Sequence, residues 1–204
     1  MIKNIFMDMR LVIGILIAHL LILFSFHDKA IFWYIFSGSL LILIVYAMFQ
    51  GDVDDKASFI KYIFFGAISG LLLYVVFWLG YHALEFLHLP FKNGLNKLYK
   101  WFAPSLFWQY LALVFVAAPG EEFFWRGFVQ KRLSKHLGAI VSILTASLLY
   151  ASVHIYSGSF LLVFAAFISG FVWGCLYFWK KSMPLVIVSH IIFDIMIFII
   201  FPLQ

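Results

Sequence analysis

Charge is what this sequence has least of. Asp, Glu, Lys and Arg make up 11% of its 204 residues, against about 25% in soluble domains, and a soluble globule is excluded on that ground. Cysteine is nearly absent. The one thiol, Cys175, sits inside an apolar run, so no internal disulfide framework can form, and it reads as a small packing residue. No small-residue cleavage site follows the first apolar stretch, although Lys3 and Arg10 precede it as in a signal peptide, so an uncleaved first span is expected. There is no internal repeat, no low-complexity tract and no segment polar enough for a soluble domain. Low-hydrophobicity disorder and collagen-like repeats are excluded by an aromatic share of 21%. The formal charge of +5 comes from basic residues scattered between long apolar runs, so no groove for nucleic acid is built and no nucleic-acid partner is expected.

What fills the chain is apolar: 65% of it is hydrophobic. A membrane-spanning helix takes roughly 20 such residues, and seven stretches qualify: Leu11–Phe26, Ala30–Phe49, Tyr62–Leu84, Leu106 through Pro119 into the charged segment beyond, Leu137–Ile155, Phe160–Trp179 and Pro184–Phe201. The fold class expected is all-α, one polytopic integral membrane bundle of seven helices. The segment Phe86–Lys100, with three lysines, is long enough for an interfacial helix, and an eighth, buried or re-entrant segment is the alternative there. With the amino terminus inside, Lys3, Arg10, Lys56, Lys61, Lys131, Arg132, Lys135, Lys180 and Lys181 fall on the cytoplasmic side and Lys29, Lys92, Lys97 and Lys100 outside. That bias predicts a cytoplasmic amino terminus and an external carboxyl terminus in a multi-pass cell-membrane protein. Trp33, Trp78, Trp101, Trp108 and Trp179 fall near span ends, where indole rings favour the interface. The loop Gly51–Ser58, with Asp52, Asp54 and Asp55, reads as solvated, because it lacks the glycine and final Glu of a calcium-binding hand.

Ionisable groups inside spans are expensive and are functional candidates for that reason. Three places stand out: Glu121, Glu122 and Arg126 after Pro119; Tyr150 and His154; and His190 with Asp194. Residues four apart share a helical face, so Glu122 and Arg126 can pair while Glu121 points about 100° away. One carboxylate is then neutralised and the other left available as a general base. His190 and Asp194 share a face in the same way. The other histidines, at positions 19, 27, 82, 88 and 136, lie near span ends or in loops and read as structural. At about 1.5 Å per residue, Glu121 lies roughly 15–20 Å of helix from the basic cluster Lys131–Lys135. His190 lies roughly 14 Å and Asp194 roughly 20 Å from Lys180 and Lys181. His154, roughly 25 Å from Gly138, needs tilt or a late helix start to meet them.

Taken together and in order, Glu121-Glu122-x-x-x-Arg126, Tyr150-x-x-x-His154 and His190-x-x-x-Asp194 resemble the CPBP (Abi) family, the CAAX proteases and bacteriocin-processing enzymes also called intramembrane glutamic proteases. The resemblance spans roughly Ala117–Asp194. It implies a catalytic core over residues 105–204, with the role of the spans of residues 1–104 left open, and proteolysis by water without a cofactor. Glu121 with His154 would hold and deprotonate the water, His190 with Asp194 would stabilise the oxyanion, and Glu122, Arg126 and Tyr150 would support them. The second motif usually opens with Phe, for which Tyr150 keeps an aromatic wall. The third usually ends in Asn. An ionised Asp194 cannot donate to an oxyanion, so either a protonated Asp194 donates or it orients His190. The substrate implied is a peptide or protein presented at the bilayer. The short chain and the absence of a targeting extension suggest a bacterial or archaeal plasma membrane.

Other readings of the same residues compete. Glu121, His154 and His190 could bind zinc in a metalloprotease, although no His-Glu-x-x-His is present. Ser157 and Ser159 do not form the Gly-x-Ser-Gly of rhomboid proteases, and no span carries the Gly-Asp of aspartyl intramembrane proteases. A non-catalytic immunity factor or scaffold would use the motifs only to hold the bundle together, and a transporter would use them as a proton relay. The absence of a repeat weighs against the transporter.

Overall fold

The computed structural model describes residues 8–51 and 54–203; Lys3 and Asp52 lie outside the described residues. Eight helices follow one another among the described residues: α1 Met9–His27, α2 Phe32–Met48, α3 Phe59–Phe86, α4 Lys92–Phe102, α5 Phe107–Leu133, α6 Ala139–Ser157, α7 Phe160–Lys180 and α8 Met183–Ile200. Among the described residues there is no strand, only a single antiparallel bridge between Asp55 and Ser182. The chain is an all-α polytopic membrane bundle. Each of the seven apolar stretches is a helix, and Phe86–Lys100 contributes the short amphipathic α4. Helices α1, α3, α6, α7 and α8 are long and apolar enough to cross a membrane. At 17 residues α2 is shorter, and α5 reaches the mark only when counted with α4, from which it bends by 99°.

Polarity is arranged for lipid rather than water. Helix α3 buries Gly66, Gly70, Leu73 and Tyr74 and turns Phe64, Leu72, Val76 and Leu79 outward. Outside a bilayer such an apolar belt would aggregate. Because lipid tails are as apolar as leucine, helices associate here through small residues and polar contacts. Gly66 and Gly70 lie against the carbonyls of Leu185 and Ser189 on α8, and Ser69 Oγ donates to Ser189 Oγ at 3.0 Å across the same seam. Gly170 and Gly174 give α7 the same close approach to α5 and α6, where Tyr150, Arg126, Gln130 and Ile143 fill the space.

The contacts at the two ends fix the path of the chain. At one end Arg132 Nε donates to Asp8 Oδ2 at 2.8 Å, Lys131 Nζ lies 3.2 Å from Asp54, and Lys56 N–H donates to Lys181 O. At the other, Tyr99 of α4 donates to Ile197 O at 2.8 Å and accepts from Leu203 N–H at 3.0 Å, while Lys29 sits 3.3 Å over the ring of Trp101. The start of α1 and the last described residues therefore lie at opposite ends, as an odd number of crossings requires.

Helix α5 carries Pro119 in its interior, where proline removes an N–H and crowds the preceding turn. The helix answers by widening. Leu113–Ala117 and Phe123–Gln130 are π-helical, and the Ala118 N–H reaches five residues back to Leu113 O, one position before the proline. Such widened turns recur at functional sites, and these two flank Glu121 and Glu122.

Candidate active site

Glu121 and Glu122 leave the short α-helical piece Ala118–Glu122 of α5 in different directions. Glu122 is fully buried and turns toward Arg126, whose Nη1 donates to Oε1 at 3.0 Å. Arg126 Nη2 donates across to Gly170 O on α7 at 3.2 Å. The same Glu122 Oε1 lies 2.7 Å from His190 Nδ1 on α8. Since an ionised carboxylate can only accept, His190 donates there. Glu122 thus ties α5 to α8 and leaves its own Oε2 without a partner among the described residues.

Glu121 instead faces a cavity of about 170 Å³. Tyr150 Oη on α6 donates to its Oε2 at 2.5 Å. His154 Nε2 stands 3.9 Å from its Oε1, and His190 Nε2 stands 3.8 Å from its Oε2. Asp194, one turn beyond His190, brings Oδ2 to 3.6 Å from His190 Nε2. These separations exceed hydrogen-bond length and suit a water or a substrate atom between the groups. His154 closes the α-helical part of α6, and its Nδ1 lies 2.9 Å from Tyr150 O. A carbonyl only accepts, so Nδ1 carries the proton and Nε2 presents a lone pair to the cavity. Helix α6 begins at Ala139 without delay, so a late start is not what brings His154 to Glu121.

All seven residues singled out in the sequence converge on this one place. Glu121, Tyr150, His154, His190 and Asp194 line the cavity, with Glu122 and Arg126 packed behind it. Tyr150 is more than an aromatic wall, because its hydroxyl holds Glu121. The first four helices also reach the site: Phe26, Phe32, Phe36, Phe77 and Phe102, from α1 to α4, supply much of the apolar wall. The cavity lies where the apolar cluster of α1, α2, α5 and α6 meets that of α3, α7 and α8. Trp173 of α7, which sequence reasoning passed over, stacks on His190 with centroids 3.7 Å apart and planes at 22°, and its Nε1 donates to Ser189 Oγ at 3.2 Å. Nothing in the spacing marks it, since stacking across helices leaves no local pattern.

The donors stand further apart than a bound zinc ion would hold them. Tetrahedral zinc at its usual bond lengths draws neighbouring donors to about 3.3 Å apart, whereas the imidazole nitrogens stand 3.8 and 3.9 Å from Glu121. The Glu121 oxygen facing His190 is already taken by Tyr150. Among the described residues no three His, Cys, Asp or Glu side chains form a group that could hold a metal.

Fold and site together define a polytopic helical membrane protein with a buried carboxylate–imidazole centre. Residues 103–196, a little under half the chain, match the family model described as type II CAAX prenyl endopeptidase Rce1-like. The match includes all three motifs and bears out the resemblance of these residues to the CAAX protease (CPBP) family. Comparisons with curated proteins and with solved structures gave no match.

Proposed function

We propose that the protein is an intramembrane endopeptidase that hydrolyses a peptide bond of a membrane-presented peptide or protein with water activated by Glu121. The observation that carries this reading is the pair of acceptors facing one gap, Glu121 Oε1 and His154 Nε2, 3.9 Å apart. A water between them donates one hydrogen to each, and its lone pair is left directed into the cavity. Attack on the scissile carbonyl passes the proton to Glu121, which returns it to the leaving amine. His190 is held by Glu122 through Nδ1; as imidazolium its Nε2–H donates to the developing oxyanion. Asp194 beside that Nε2 orients the ring. Glu122 and Arg126 fix the widened turn that aims Glu121.

The apolar wall of the cavity suits a hydrophobic residue or chain next to the scissile bond, and the matching family is described by its prenyl endopeptidase activity. The positive-inside bias places the end bearing Lys131, Arg132, Lys180 and Lys181 in the cytoplasm. The test is comparative membrane proteomics of wild type and Glu121→Gln, followed by cleavage of the identified precursor in reconstituted membranes. A precursor should accumulate in the variant, and Glu121→Gln and His154→Ala should each abolish its cleavage. Full cleavage by either variant would overturn the mechanism, and an unchanged proteome would favour a non-catalytic role.

A further inference from the structure

We infer that the Tyr150 hydroxyl is a positioning group that keeps Glu121 an oriented anion, selecting Oε1 as the oxygen that takes the proton from water. This rests on Glu121 being the base.

Glu121 is buried, and among the described residues Tyr150 Oη donates the one hydrogen bond it receives. The charged and titratable groups around it offer no substitute. On its own helix Arg126 is committed to Glu122 and to Gly170 O, and Glu122 carries like charge. On α6, His154 turns a lone pair toward it. On α8, His190 lies beyond hydrogen-bond length and Asp194 adds a further carboxyl. A buried carboxylate without a donor is costly, and a hydrogen bond to a charged group is among the strong ones. Because Tyr150 occupies Oε2, the opposite oxygen is left to face His154.

The ring that carries this hydroxyl cannot wander. A Cβ on Gly170 would lie 2.9 Å from Tyr150 Cδ1, so α7 is bare where the ring rests. The Arg126 guanidinium lies 4.8 Å from its centroid, and Trp125 and His154 pack at 5.6 and 4.9 Å. Ring and hydroxyl have separable jobs, one filling space and one donating.

The test compares wild type, Tyr150→Phe and a protein with 3-fluorotyrosine at position 150, which keeps both shape and donor. Two readouts are taken on the reconstituted full chain. The first needs no substrate: the infrared carboxylate band of Glu121, assigned by difference from Glu121→Gln, should move in Tyr150→Phe and stay close to wild type with 3-fluorotyrosine. The second is turnover of the precursor found by proteomics. Here kcat should fall about tenfold to a hundredfold in Tyr150→Phe, the size expected for one hydrogen bond to a charge, with KM within about twofold and 3-fluorotyrosine restoring the rate. An unmoved band, or an unchanged kcat, overturns the inference. So does a 3-fluorotyrosine protein as impaired as Tyr150→Phe, since the ring's packing would then be responsible. A wild-type protein that cleaves nothing would defeat the protease reading, while the infrared band would still decide whether Tyr150 holds Glu121.

Discussion

Glu122 and His190 are bound across two helices: Nδ1 of the histidine meets Oε1 of the glutamate at 2.7 Å, on the same oxygen that accepts from Arg126. One oxygen of a fully buried side chain therefore fixes both the guanidinium and the imidazole. Removing it strands a cation with no water to solvate it.

Glu122→Ala should accordingly cost about 3–5 kcal/mol of stability, as breaking a buried ion pair from one side does. Glu122→Gln, which keeps an acceptor oxygen, should lose less. Both should also lose activity, because His190 is no longer held. Thermal unfolding in detergent alongside precursor cleavage checks this. A Glu122→Ala protein as stable as wild type would mean that Arg126 finds another partner.

Helix α3 allows a comparison of two glycines within one element. At Gly70 an added methyl would run into the Ser189 carbonyl and come within 2.9 Å of Ile192 Cβ, whereas at Gly80 nothing lies within 4 Å. Gly70→Ala should destabilise the protein by about 1–3 kcal/mol through overpacking of the α3–α8 seam. Gly80→Ala should be neutral, or stabilising by up to about 1 kcal/mol from helix propensity. Melting temperatures of the two variants in one detergent settle the contrast, and equal effects would count against the close approach.

Local spacing carried the parts of this structure that local rules govern. Four-residue separation foretold that Glu122 would pair with Arg126 while Glu121 turned away, and that Asp194 would sit beside His190; each is found. Apolar runs of span length marked seven helices. What periodicity cannot carry is which helix lies against which. The link from Glu122 to His190, the hydroxyl of Tyr150 on Glu121, the stack of Trp173 and the aromatic wall from α1 to α4 all join residues far apart in the chain. Gly66 and Gly70 stand four apart as tight helix seams require, a signal that points to a contact without naming the partner.

Outside the membrane, Asp8 caps α1 by accepting from Leu11 N–H at 3.2 Å and accepts from Arg132 Nε at 2.8 Å. Partial burial works to raise its carboxyl, but the hydrogen bonds from Arg132 and Leu11 and the Arg132 charge outweigh it, and the folded value is held below the usual carboxylate range. A carboxyl depressed by folding stabilises the protein above its unfolded value of about 4, and that contribution is lost as pH falls through the folded value. Asp8→Asn keeps an equivalent helix cap and removes only the charge. The variant should therefore be less stable than wild type by about 1 kcal/mol at neutral pH, with the gap closing below about pH 4. Melting curves of both proteins across that interval measure it, and a gap independent of pH would show that the charge contributes nothing.

Metal dependence separates the water-activating carboxylate from a zinc centre. His190 Nδ1 is committed to Glu122, His154 Nδ1 to the Tyr150 carbonyl and Glu121 Oε2 to the Tyr150 hydroxyl. The groups left over, Glu121 Oε1 and the two Nε2 atoms, belong to side chains spaced more widely than zinc holds its donors. Binding zinc at Glu121 Oε1 would require both rings to shift, and binding at Oε2 would require Tyr150 to release it as well. Cleavage of the precursor should therefore persist after exhaustive chelation, and the purified active protein should carry no stoichiometric zinc. Loss of cleavage on chelation, restored by added zinc in proportion to occupancy, would assign Glu121, His154 and His190 to a metal. Because Tyr150→Phe frees the Glu121 oxygen facing His190, that variant should be the first to acquire zinc affinity, a trend that calorimetric titration would detect.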